Sequence, residues 1–288
     1  MRIAKPLAVA AILAAVAVSA GSGPPAEATV KPLRVVGLTD DGRLTVFPVS
    51  NPRHVYDLGK VRGLKGGEHL IGIDYRVQDG RLYGVGTSGG IYRIGLTGHP
   101  RADQVSQLTV PLTGNSFGVD FNPAANRLRV ISDTGQNLRH NLDDPMGAPA
   151  AGTTATDTPL TFPGPPPVAA AGVAAAAYTN NDLSGDTATS LFDLDTTADQ
   201  VVVQSPANAG LLAPTGKLGV DTGAGAGFDI YSQLSRGATV RNTGFATLSV
   251  SGRQAFYRID LLTGDAQSAG AFPGKHQVVD ISLPLAQR

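Results

Sequence analysis

Two Asp-Thr-Gly triplets, Asp133-Thr134-Gly135 and Asp221-Thr222-Gly223, spell the signature of aspartic peptidases. That chemistry needs two carboxylates sharing one proton, on loops at equivalent places in two related halves. Here one triplet falls between the second and third strands of a repeating unit, and the other falls just before a first strand. They also lie only 88 residues apart, so both read as polar turns. Gly84-Val85-Gly86-Thr87-Ser88-Gly89 spells a dinucleotide-binding pattern, and Gly86 to Gly90 spells a nucleophile elbow. Each device requires a helix after the glycines. The Ile91-Tyr92-Arg93-Ile94 that follows alternates as a strand, and one hairpin turn accounts for both patterns.

Asp182, Ser184 and Asp186 stand at alternate positions of "TNNDLSGD", like the opening of a calcium-binding loop. Gly185 is displaced from the place such loops use, and only Asp193 stands where the bidentate glutamate belongs. The three are weak loop candidates for a metal, and a solvated loop is the plainer reading. The five histidines lack zinc-binding spacing, and His140 reads as a strand residue. Arg93, Arg139 and Arg258 share a phase on third strands. They are expected to lay their methylenes over a sheet and keep their heads in water.

The acids that survive this sorting are Asp74, Asp120, Asp229 and Asp280, with Ala177 at the fifth equivalent place. Carboxylates converging on one axis repel, which raises some of their pKa values unless a cation or hydrogen bonds intervene. Two outcomes follow. The acids bind backbone N–H groups of neighbouring segments and hold them together, the favoured reading, or they meet at a channel mouth and bind a ligand. A structural cation such as calcium is one form of the second outcome; otherwise no cofactor is implied. A glycoside hydrolase is another, with two carboxyls roughly 5–5.5 Å or 6.5–9.5 Å apart. Such enzymes usually add a glutamate, and Glu68 is the only one after position 28.

The elements that position these acids repeat. Residues 70–96 and 117–142 align as strand, turn, strand, turn, strand: Gly72-Ile73-Asp74-Tyr75 with Gly118-Val119-Asp120-Phe121, then Arg81-Leu82-Tyr83 with Arg127-Leu128-Arg129. Weaker copies open at Val173 and Gly227, and a last first strand opens at Val278. Its missing partners lie at the other end, in "LRVVGLTDDGRLTVFPV" at 33–49. The anchor positions are 46, 57, 52 and 51 residues apart, as in four-stranded propeller blades. The expectation is an all-β, five-bladed β-propeller closed by pairing of N- and C-terminal strands in one blade, whose first strands line the axis. The Pro/Gly/Thr-rich insert at about 143–172 reads as a long excursion within the third blade.

The stretches "GVDFNPAANRLRVISDTGQNLRHN", "AAAYTNN", "LFDLD" and "GFDI" resemble, in the same order over roughly 33–285, domain-of-unknown-function family 4394. That resemblance implies an exported bacterial protein of propeller-like fold. It implies no activity and no catalytic residues.

The N-terminus carries Arg2, Lys5 and a 14-residue apolar run from Leu7 to Ala20. That is too short for a membrane helix of about 20 residues and suits a signal peptide, 1–28, cleaved after Ala28. Residues 29–288 then form a single propeller domain, secreted and not inserted in a membrane. With no cysteine, disulfides, thiolate metal sites and cysteine nucleophiles are excluded. Removing Arg2, Lys5 and Glu27 leaves 21 basic and 22 acidic residues, a balance that does not favour nucleic acid. The expectation is an extracellular monomer. It is read as a non-enzymatic module that binds a ligand or a protein through its channel or loops, with the glycoside hydrolase as the alternative.

Overall fold

Short runs of β-branched and aromatic residues, punctuated by Gly, Asp and Asn turns, fold into sheets because no segment sustains a helical period. The computed structural model describes residues 32–274 and 276–287. The expected signal peptide therefore lies outside the described residues.

Five four-stranded antiparallel sheets make five blades. The first holds β1 (Arg34–Thr39), β2 (Arg43–Pro48) and β3 (Tyr56–Lys60). The second runs β4 (Leu70–Arg76), β5 (Arg81–Gly86), β6 (Gly90–Gly95) and β7 (Arg101–Gln107). The third runs β8 (Phe117–Asn122), β9 (Arg127–Ser132), β10 (Asn137–Asn141) and β11 (Thr153–Thr156). A two-stranded piece, β12 (Thr161–Phe162) with β13 (Val168–Ala169), leads to the fourth blade. That blade has β14 (Val173–Tyr178), β15 (Leu191–Asp195), β16 (Gln200–Gln204) and β17 (Leu212–Lys217). The fifth has β18 (Ala226–Ser235), β19 (Ala238–Val250), β20 (Arg253–Ile259) and β21 (Ala266–Ala271), and β22 (Val278–Ser282) ends the order.

β22 pairs with β1, Gly37 opposite Ile281 and Leu38 opposite Asp280, so the sheet order of the first blade is β22-β1-β2-β3. Strands from opposite ends of the described chain thus share a blade, as the split repeat predicts. Five buried apolar clusters stabilise the molecule, mostly at seams between neighbouring sheets. One of them gathers Phe47, Phe245, Phe256 and Phe272, with Phe47 edge-on to both Phe256 and Phe272. No helix among the described residues is long and apolar enough to cross a membrane.

The insert departs from expectation. Thr153–Thr156 is the outer strand of the third blade, Leu138 pairing with Thr156 and Asn141 with Thr153. The segment is also held by arginines: Arg127 and Arg139 both donate to the Ala148 carbonyl. The excursion is therefore partly an integral strand, concealed by its lack of apolar residues.

Candidate functional site

The first strand of each blade has a neighbour on one side only, which leaves a row of backbone N–H groups along the axis. The aspartates answer this. Asp280 Oδ2 of the first blade accepts Ile73 N of the second at 2.8 Å. Asp74 Oδ2 of the second accepts Phe121 N of the third at 2.8 Å. Asp120 Oδ1 of the third accepts Tyr178 N of the fourth at 3.2 Å. Asp229 Oδ2 of the fifth accepts Leu283 N, just past β22, at 2.5 Å. Each acid staples its blade to the next.

The fourth blade has Ala177 instead and uses Asn181, which donates from its backbone to Ser232 Oγ and from its side chain to the Ile230 carbonyl. Glycine two residues ahead of the acid lets the inner strands approach. A Cβ on Gly118 would sit 2.5 Å from Ala176 N, and one on Gly72 2.6 Å from a Val119 methyl.

The staples also converge. One carboxylate oxygen each from Asp74, Asp120 and Asp229 lie within 4.8 Å of one another, and all four acids are 2–9% exposed. Burial, and secondarily the charge of Asp229, raises the Asp74 pKa well above the ordinary range. Burial followed by the charges of Asp74 and Asp229 does the same to Asp120, and burial does so to Asp280. Burial pushes Asp229 up to about 7, against the backbone N–H groups of Leu283 and Ile230. Ser282 Oγ donates to Asp74 Oδ1 at 3.1 Å and accepts Tyr75 N. Such a trio shares protons or holds a cation.

The other expected site residues part company. Asp182 accepts Ser184 N on one oxygen and Thr239 N and Oγ1 on the other. Its carboxylate ties its own loop to the start of β19, while Asp186 is exposed. Asp133 lies between β9 and β10 and accepts Asn115 N; Asp221 lies ahead of β18 in another blade. His140 is a buried strand residue between Thr154 Oγ1 and Ser106 Oγ, and burial lowers its pKa to about 4. Arg139 does not lie with its head in water. It meets both oxygens of Asp157.

A second polar group escapes the sequence reading. Arg129 is 2% exposed and donates to Asn137, Asp157, Asn208 and Tyr178 Oη, tying the third blade to the fourth. Fully buried Asp193, opposite Ala176 and Val202, has no hydrogen-bond partner on either oxygen. Burial raises its pKa well above the ordinary value. The signal available in the sequence was slight: Ile131 and Leu191 put an apolar residue on the same strand phase as Arg129 and Asp193, while the burial of every residue in both strands shows only in the structure.

A cavity of about 580 Å³, with none of the axial acids in its lining, lies between the fourth and fifth blades, with Phe192 and Ile259 apolar and Arg241 and Arg258 cationic in its lining. A smaller one of about 320 Å³ has Gln78, Pro123 and the Asn180–Thr187 loop around it.

None of the curated proteins is similar to this chain. Among solved structures, a chain of the nidogen–laminin complex aligns at TM-score 0.45 and 11% identity, over 89% of this chain and 99% of its own. A protein of unknown function from Bacteroides thetaiotaomicron aligns at 0.45 and 10%, over 88% of this chain and 65% of its own. An auxiliary nutrient binding protein from Bacteroides ovatus aligns at 0.39 and 10%, over 81% of this chain and 57% of its own. The chain thus spans less than two thirds of those two Bacteroides proteins. At that level of likeness the blade count rests on this chain's own hydrogen bonding. A family model, "Domain of unknown function (DUF4394)", matches residues 43–282, and the chain belongs to that family.

Proposed function

We propose that this propeller is a non-enzymatic binding module, secreted after loss of residues 1–28, that meets an extracellular ligand or partner protein through its loops. One observation carries the reading. The acids best placed for chemistry are engaged as acceptors for the backbone of the next blade, while the cavity of about 580 Å³ between the fourth and fifth blades is walled by other residues, from strands and loops alike. An acid that holds the scaffold and is closed to solvent is poorly placed to meet a glycosidic oxygen.

The hydrolase alternative has one observation in its favour: carboxyl oxygens within 4.8 Å, near the spacing of retaining glycosidases, roughly 5–5.5 Å. Burial argues against it. A panel of polysaccharides and chromogenic glycosides separates the two. No turnover is expected. Hydrolysis that Asp120→Asn abolishes, with the thermal midpoint kept, would make the axis an active site and overturn the binding reading.

A further inference from the structure

We infer that the cavity between the fourth and fifth blades is a site for an amphiphilic organic anion: a compact apolar body carrying a carboxylate, sulfonate or phosphate. The inference rests on the binding-module reading and names the chemistry of its ligand.

The size is right. About 580 Å³ falls inside the range of small-molecule sites, roughly 300–1,000 Å³. The walls are fixed before any ligand arrives. Asn180 N donates to Asn242 Oδ1 at 3.1 Å and Asn242 Nδ2 returns a bond to Asn180 Oδ1 at 2.7 Å, joining the fourth-blade loop to β19. Asp182 adds the bonds to Thr239 two residues along. The amides are therefore used in building the wall.

The guanidinium groups are not. Arg241 and Arg258 are exposed, and among the described residues neither side chain has an ion pair or a hydrogen bond to a protein acceptor. Arg43, Arg76, Arg127, Arg129 and Arg139, by contrast, all hold carboxylates within hydrogen-bond distance. The one carboxylate in the lining, Asp260, turns Oδ1 onto its own turn and accepts Leu262 N and Thr263 N. Those bonds, with Arg258 a lesser cause, lower its pKa. The lining thus carries two cations against one committed anion. Guanidinium forks match planar oxyanions in geometry as well as charge.

The apolar half is equally visible. Phe192, Ile259 and Leu261 belong to the lining, and Leu262 at its edge is 78% exposed. A large apolar side chain left in water on a concave, cationic surface, beside Phe192 and Leu261, marks a place where an apolar group docks.

The test uses anilinonaphthalene sulfonate, an apolar aromatic anion, beside N-phenylnaphthylamine, which lacks the sulfonate. The folded wild type should bind the sulfonate saturably at one site. Arg241→Ala with Arg258→Ala should weaken that binding roughly tenfold or more, and leave the neutral probe within about twofold. Added salt should weaken the sulfonate alone. Both arginines are exposed, so the thermal midpoint should hold, and the salt titration needs no variant. Sulfonate affinity unchanged in the double variant, or no saturable binding by the wild type, would overturn the anion site. Neither result bears on turnover, so the glycoside panel still judges the non-enzymatic reading separately.

Discussion

A carboxyl that accepts a backbone N–H from the next blade does so whether it is ionised or protonated, but only the protonated form is at ease in the dry axis. Folding raises the pKa values of Asp74, Asp120, Asp229 and Asp280. Their contribution to stability is therefore complete below the ordinary aspartate value of 3.8 and is lost as pH rises through each group's own folded value, about 7 for Asp229. Thermal midpoints should fall from about pH 5 to pH 8. Asp120→Asn keeps an oxygen for Tyr178 N and removes one charge, so it should flatten that slope; an unchanged or steeper slope would refute the account. His140 pulls the other way, since its folded pKa of about 4 means its contribution fades as pH falls below its ordinary value of 6.5. At the seam between the third and fourth blades, Arg129→Ala leaves Asp157 to Arg139 alone and strips a buried donor from Asn137, Asn208 and Tyr178, and it should cost about 1–3 kcal/mol, read by urea unfolding. The residue types of both groups stand in the sequence. The convergence of the acids and the reach of Arg129 to Asn208, 79 residues away, do not, because each depends on how one blade leans on the next.

Inner strands approach closely because glycine stands two residues before the acid in three blades, at Gly72, Gly118 and Gly227. The resulting Gly-x-Asp unit joins two physical demands, room for a neighbouring backbone and an acceptor for its N–H. Gly118→Ala should destabilise by about 1–3 kcal/mol or more, since its Cβ would lie 2.5 Å from Ala176 N. Gly185→Ala, which meets no atom within 4 Å, should be neutral in the same denaturation assay. Equal effects would detach the motif from strand approach. First, second and third strands were legible because their side chains are apolar on buried faces. The outer strands were not. β7, "RADQVSQ", alternates between exposed and covered positions, and β11 is four small or hydroxylated residues, so neither announces itself in composition.

Ring architecture sets what the axis can hold. With three carboxyl oxygens within 4.8 Å and protons as the neutralising charge, the melting midpoint should be the same in calcium and in chelator. A gain of ~2.7 kcal/mol at calcium about 100 times its Kd would instead assign the trio to a cation. Repeat spacing alone determined the all-β class, the count of five blades and the shared blade, because a strand needs a partner and the split repeat leaves only one. It also located Asp74, Asp120, Asp229 and Asp280 as the recurring acids. Whether those acids face a ligand or a neighbour's backbone was decided by tertiary structure alone. So were the two uncommitted arginines beside Phe192. Both depend on the lean of one sheet against another, a relation between side chains far apart in sequence that strand periodicity does not encode.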